Sequence, residues 1–334
     1  MINTYLTKTF NIKYPIILAP MFLVSNEEML INASKAGIMG CVPSLNYRTP
    51  ELLKEALLKI KNEGSPFGVN LIVNKSNIHL TKHLEVCLEV EPDFIITSLG
   101  SPRDVIKRFK DKKTKIFCDV IDEHYAKVVE DLGADAIIAV NSGAGGHCGP
   151  IPASVLIPKL KKACSLPIIS AGGVGNGQGM LSMLALGAEG LSMGSIFIAT
   201  KESPAGDDYK KACVDYNGDD IILTTKISGT PCTVINTPYV KKIGNKQNFL
   251  ESFLNNNKAL KKYAKMITYY KGTKLIEKAA FSATYKTVWC AGPSIEFTKE
   301  ITDIKTIVDR LVTEYNEALN KLCVKESTQL DQLS

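Results

Sequence analysis

The sequence predicts an α/β protein, a (β/α)8 TIM barrel carrying an inserted smaller cap subdomain. Eight short β-type runs recur over about 200 residues, each followed by an amphipathic helical stretch, which is the repeat such a barrel needs. Several of the runs are continuously apolar, as parallel strands buried on both faces must be. Glycines in KAGI, DLGAD and ALGAEG stand where a left-handed residue would release a helix into the next strand.

The expected strands are 15–19, 38–42, 67–73, 93–98, 115–120, 136–140, 167–171 and 190–194. Helices with apolar residues at i, i+3 and i+4 fall at Pro50–Asn62 and Glu123–Leu132. An open doubly wound sheet would leave the last units without a place. The β–α repeat breaks near residue 221. From there to 272 come extended β-branched segments and a Lys/Asn-rich stretch, whose apolar residues are too scattered for an independent core. We expect 1–220 and 273–325 to form the barrel, 221–272 the inserted cap, and 326–334 a frayed tail. A last helix, Ile304–Leu322, repeats apolar residues at 304, 307, 308, 311, 315, 319 and 322 and is expected to close the barrel wall.

Of 334 residues, 45% are hydrophobic and 22% charged, which excludes wholesale disorder. No apolar run nears the roughly 18 residues of a membrane span. The opening MINTYLTKTF lacks an export pattern, so a soluble, cytoplasmic protein is expected. The net charge of +6 comes from dispersed lysines rather than a clustered stripe, which argues against nucleic-acid binding. Nine cysteines form no C-x-x-C pair; buried thiols in a reducing compartment are expected, and no metal site.

Barrel chemistry sits where strands end and loops begin. After the seventh strand comes Ser170-Ala171-Gly172-Gly173-Val174-Gly175, and after the eighth Met193-Gly194-Ser195. Positions without side chains let backbone N–H groups approach an anion, and a following helix N-terminus adds positive character. A phosphate there fits FMN, a nucleotide or a sugar phosphate. Ala19-Pro20-Met21 after the first strand offers a flat backbone face to a planar heterocycle. Asn70, in the third strand, must find partners, either a ring edge or a structural hydrogen bond.

The loop after the sixth strand, Asn141 to Pro150, carries four glycines and delivers His147 to the barrel mouth. An imidazole there can take a proton, give one, or hold an anion. His79 and His83, at i and i+4, read as solvated surface, since no third metal ligand accompanies them. His124 opens a helix and reads as ordinary surface.

Ala19-Pro20-Met21, Gly68-Val69-Asn70, Ala144-Gly145-Gly146-His147, Ala171-Gly172-Gly173, Met193-Gly194-Ser195 and Ala291-Gly292-Pro293-Ser294 occur in this order. Over almost the whole chain the sequence resembles the nitronate monooxygenase (2-nitropropane dioxygenase) family of FMN-binding barrels. FMN-dependent enoyl-acyl-carrier-protein reductases and NADH:quinone reductases share the pattern.

The resemblance implies FMN as cofactor, with Ala19, Pro20 and Met21 at the ring, Asn70 at the ring edge or ribityl chain, and Ala144 and Gly145 beside the ribityl chain. Ser170, Gly172, Gly173, Gly194 and Ser195 would hold its phosphate. It implies His147 as the catalytic residue, Ser294 at the substrate, and oxidation of alkyl nitronates by O2 to carbonyl compounds and nitrite. The alternative it carries is an NAD(P)H oxidoreductase of enoyl-reductase or quinone-reductase type. The partners implied are a small-molecule substrate and O2; NAD(P)H use and a homodimer stay open. This chain departs from the pattern at Gly143, where relatives carry an acid, at Pro293 in place of Gln, and at Asp119. Cys148 follows His147 where purine-nucleotide oxidoreductase barrels place a nucleophile, but its surroundings differ from theirs. A flavin-binding barrel without catalysis is the non-enzyme alternative.

Overall fold

The computed structural model describes residues 2–225, 230–245 and 288–331. Its centre is a closed parallel barrel of eight strands: β1 (Ile16–Leu18), β2 (Met39–Pro43), β3 (Phe67–Ile72), β4 (Phe94–Ser98), β5 (Lys115–Val120), β6 (Ala136–Val140), β8 (Ile168–Ala171) and β9 (Gly190–Met193). β9 returns to β1 through the Leu18–Met193 register and closes the ring. The expected (β/α)8 architecture is what the chain forms, and the eight predicted strands differ from these only at their ends. A second sheet has three strands, β7 (Gly146–His147), β10 (Ile221–Thr224) and β11 (Cys232–Ile235), in the order β10-β11-β7.

Helices α1 (Tyr5–Phe10), α2 (Glu27–Lys35), α3 (Pro50–Asn62), α4 (Leu80–Val90), α5 (Arg103–Phe109), α6 (Glu123–Leu132), α7 (Ala153–Ala163), α8 (Gly177–Ala185), α9 (Ser195–Ile198), α10 (Asp207–Asp215), α11 (Pro238–Ile243) and α12 (Ile304–Asp331) accompany the strands. Local chemistry fixes their ends. Thr49, Asn26, Asp122 and Asn176 cap α3, α2, α6 and α8 by accepting N–H groups of the first turn. Gly37, Gly133 and Gly187 take positive φ where three helices give way to strands.

The core has two layers. Strand residues that alternate outward, such as Val69, Leu71, Ile95 and Ile137, pack against the helices. Those that alternate inward, including Ile17, Met39, Ile96, Phe117, Ile138 and Ile169, fill the lumen. Helix α1 plugs the bottom: Leu6 is fully buried there, and the rings of Phe10, Phe94 and Phe117 meet with centroids 5.2–6.0 Å apart. Gly68 is required beside this cluster, because a Cβ would lie 2.3 Å from the Phe94 ring. With the bottom plugged, the lumen is open only at the C-terminal ends of the strands.

α12 packs on α8 and α2 through Ile304, Ile307, Val308, Leu311 and Tyr315, as its periodicity predicts. Leu319 and Leu322 are exposed, so its later turns leave the wall. Most of the 221–272 stretch expected to form the cap, as well as 273–287 and the end of the tail, lies outside the described residues; within that stretch β10, β11 and α11 are described. No helix among the described residues is long and apolar enough to cross a membrane.

His83 departs from its expected place on the solvated surface. It is fully buried, stacked on His79 with ring centroids 5.5 Å apart, and neither imidazole nitrogen has a hydrogen-bond partner. The reason is its helical phase: Leu80, His83, Leu84, Cys87 and Val90 share one face of α4, and that face packs inward. Burial pushes the His83 pKa down to about 4, so the ring is neutral near pH 7. No group of three metal-ligating side chains is present among the described residues.

Candidate active site

A cavity of about 300 Å³ opens at the C-terminal ends of the strands, the size of a small-molecule site. Its β1 wall is Ala19, Pro20 and Met21, fixed by one hydroxyl: Ser25 Oγ donates to the Ala19 carbonyl and accepts the Met21 N–H, both at 2.8 Å. Ala19 N–H bonds the Met193 carbonyl at 2.8 Å, which ties this turn to β9.

A polar belt crosses β3, β4 and β5. Asn70 donates to the Ile96 carbonyl at 3.1 Å and to Ser98 Oγ at 2.7 Å. A carbonyl can only accept, so the amide orientation is set and its oxygen is left for the cavity. Having accepted from Asn70, the Ser98 hydroxyl is placed to donate to the Asp119 carboxylate. Burial pushes the Asp119 carboxyl up to about 6, against the opposing hydrogen bond from Ser98. Leu45, Ile72, Ile96, Ile138 and Val140 make the surrounding wall apolar.

The opposite wall is built from backbone. Asn141 stitches the loop after β6 to the loop after β8: its amide donates to the Gly172 carbonyl at 3.0 Å and accepts the Gly143 N–H at 2.8 Å. Gly173 N–H then bonds the Gly143 carbonyl at 2.9 Å. Gly172 and Gly173 have φ of 110° and 76°, and a Cβ on Gly172 would fall 2.3 Å from Ala144 N. Only glycine meets both demands there. Ser195 Oγ accepts the Gly292 N–H at 2.9 Å, leaving its own proton for a ligand oxygen. Gly145, Gly194 and Ser294 complete this side.

His147 reaches the cavity on β7, which β11 holds by antiparallel pairing, Cys232 opposite His147 and Thr233 opposite Gly146. Thr233 Oγ1 donates to the Ala144 carbonyl at 2.7 Å and lies 3.3 Å from that of Gly146, which locks the glycine loop from behind. Burial lowers the His147 pKa, so near neutral pH the ring is an uncharged base rather than an imidazolium.

The structure brings Ala19, Pro20, Met21, Asn70, Ala144, Gly145, His147, Gly172, Gly173, Gly194, Ser195 and Ser294 to this one cavity. Ser170 is not on it. Its neighbours Ile169 and Ala171 face the lumen, so Ser170 points outward, buried, with an unpartnered hydroxyl. At the N-terminus of α8 the Gly177 N–H is already taken, since Glu314 accepts it at 2.8 Å. Sequence reasoning did not place Ser98, Tyr209, Cys232 and Cys290 on the cavity. For Ser98 a polar residue closing an apolar strand was the available signal; the other three come from segments brought in by non-local packing.

The family model of nitronate monooxygenase matches residues 3–81 and 76–314. The chain belongs to that family. As a member of the nitronate monooxygenase family it is an oxidoreductase. It is 29% identical over 287 residues to a probable nitronate monooxygenase of Staphylococcus haemolyticus, covering 72% of this chain and 80% of that one. It is 28% identical over 243 residues to (3aS,4S,5R,7aS)-5-hydroxy-7a-methyl-1-oxo-octahydro-1H-indene-4-carboxyl-CoA dehydrogenase of Rhodococcus jostii, covering 72% and 68%. The structure of FabK from Thermotoga maritima superposes with a TM-score of 0.83 at 26% identity, over 97% of this chain and 100% of that one.

Proposed function

We propose that this chain is an FMN-dependent nitronate monooxygenase, converting an alkyl nitronate and O2 to a carbonyl compound and nitrite. The observation that carries this reading is a half-buried His147, its imidazole pKa lowered by burial, on the same cavity as a backbone-lined glycine wall. Glycine is needed in that wall for its loops to pack edge to edge, which leaves backbone rather than side chains lining this side of the cavity: besides the clash at Gly172, a Cβ on Gly145 would lie 2.8 Å from Gly292 N and 2.9 Å from Ser195 Oγ. The residues present therefore fit FMN. Gly172, Gly173, Gly194 and Ser195 would hold the phosphate, and Ala144 and Gly145 would flank the ribityl chain. Ala19, Pro20, Met21 and the Asn70 amide oxygen would meet the ring.

FMN, when bound, supplies the electron transfer between substrate and O2. The protein supplies position and proton handling. His147, neutral, takes the α-proton of a nitroalkane onto an imidazole nitrogen; a preformed nitronate needs no such step. Ser294 stands where it can orient the substrate. The apolar wall from β2 to β6 excludes water from the anion, which strengthens each polar contact made to it.

A second reading keeps the same site and has NAD(P)H as electron donor to an acyl thioester. It is favoured by the similarity to a protein named as a carboxyl-CoA dehydrogenase. The test is direct: purified protein supplied with propyl nitronate in air should release nitrite and carry stoichiometric FMN released on denaturation. A protein that stays colourless after FMN addition, or forms no nitrite from any nitronate, overturns the proposal.

A further inference from the structure

Two thiols stand together in the cavity wall and have no part in the chemistry above. Cys232 is buried on β11, and Cys290 is half-buried just before the Ala291-Gly292 turn. They are 58 positions apart in sequence, yet their Sγ atoms are 3.7 Å apart, and both line the cavity. Forming a bond of about 2.05 Å would draw each sulfur in by only about 0.8 Å. The backbones that carry them are held side by side. Ile235 N–H bonds the Trp289 carbonyl at 2.9 Å, the Tyr209 hydroxyl donates to the Cys290 carbonyl, and β7 fixes Cys232 opposite His147.

We propose that Cys232 and Cys290 form a redox-active dithiol, which a small-molecule disulfide entering the cavity oxidises to an intramolecular disulfide. The more accessible Cys290 sulfur attacks one sulfur of the reagent, forming a mixed disulfide and releasing one thiol. The Cys232 sulfur then attacks Cys290 Sγ and releases the second. The two cysteine hydrogens leave with the two released thiols; the protein gives up two electrons and the reagent takes them. The hydrogen bond between the two thiols, followed by burial, raises the Cys232 thiol well above its usual range. The first of those causes disappears once Cys290 is in the mixed disulfide, so the resolving step is eased when it is needed.

The remaining cysteines set the selectivity. Cys41, Cys87, Cys118 and Cys213 are buried thiols pushed up by apolar surroundings, which makes them poor nucleophiles. Cys148, half-buried near the pair, and Cys164, also half-buried, have thiols raised by burial, and Cys323 is exposed on α12. A disulfide between Cys232 and Cys290 would tie β11, the strand that holds His147, covalently to the segment bearing Ser294.

The experiment uses the full-length protein and bis(2-hydroxyethyl) disulfide, a small neutral reagent, without denaturant. We expect a non-reduced digest containing one peptide pair joined through Cys232 and Cys290, and two titratable thiols lost per chain beyond any that the reagent caps singly, as it will the exposed Cys323. Cys232→Ser should trap the reagent as a stable adduct on Cys290, and Cys290→Ser should give neither cross-link nor adduct at Cys232. A wild-type digest with both thiols unlinked, a link from either one to Cys148, or a Cys232→Ser protein without the Cys290 adduct would overturn the assignment. None of these readouts depends on flavin or turnover, so they stand apart from the nitronate reading.

Discussion

At His147 the decisive quantity is charge. Burial lowers the imidazole pKa, which makes it a proton acceptor near neutral pH and a poor permanent cation. His147→Ala should therefore slow turnover of a neutral nitroalkane by roughly 10²–10⁴-fold, the usual span of general-base effects. Turnover of a preformed nitronate should fall less, because no proton remains to be abstracted. FMN should stay bound, since the glycine wall and the β1 turn do not depend on the imidazole. Paired steady-state assays on the two substrates, with flavin content measured alongside, check this. Equal, wild-type-like rates on both would make His147 structural.

At the level of elements, the strands and the site loops differ in how far the sequence shows them. The barrel strands are legible because parallel strands buried on both faces read as apolar runs, and 136–140 and 115–120 coincide with β6 and β5. The site loops are legible as glycine-rich strand ends. Their mutual stitching is not, because Asn141 joins residues 31 positions apart through a side chain. β7 is a two-residue strand whose strand partner among the described residues, β11, comes from a distant segment, so no local period announces it. Ser170 was misplaced for want of the register that turns alternate residues outward. His83 was readable, since its apolar neighbours at helical spacing mark a buried face. Thr233 gives the element-level prediction. Thr233→Val keeps the shape but removes the donor to the Ala144 carbonyl, at a cost of about 1 kcal/mol. We expect kcat on the neutral nitroalkane to drop while FMN content and the fold, followed by circular dichroism, persist. An unchanged kcat would mean that β11 does not position the His147 loop.

For the whole molecule, the buried His83 and the half-buried Asp119 give stability opposite pH slopes. Burial holds the His83 pKa at about 4 in the folded state, below the ordinary 6.5 of an imidazole, so the folded state binds fewer protons and stability is lost as pH falls through that window. The full effect is up to about 3 kcal/mol. Asp119, raised from 3.8 to about 6, acts the other way: the folded state binds more protons, and stability falls as pH rises through that range. Thermal midpoints measured from pH 4 to 7 should thus change little in the wild type. Asp119→Asn should expose the acid-side loss due to His83, and His83→Leu the opposing slope; parallel curves for all three proteins would refute both assignments. The central claim, that this barrel turns over nitronates on FMN, is tested most directly by anaerobic titration of the purified protein with propyl nitronate, NADH and NADPH while following the flavin absorbance. The account predicts bleaching by the nitronate and none by either nicotinamide; bleaching by NADH or NADPH with an inert nitronate would contradict it.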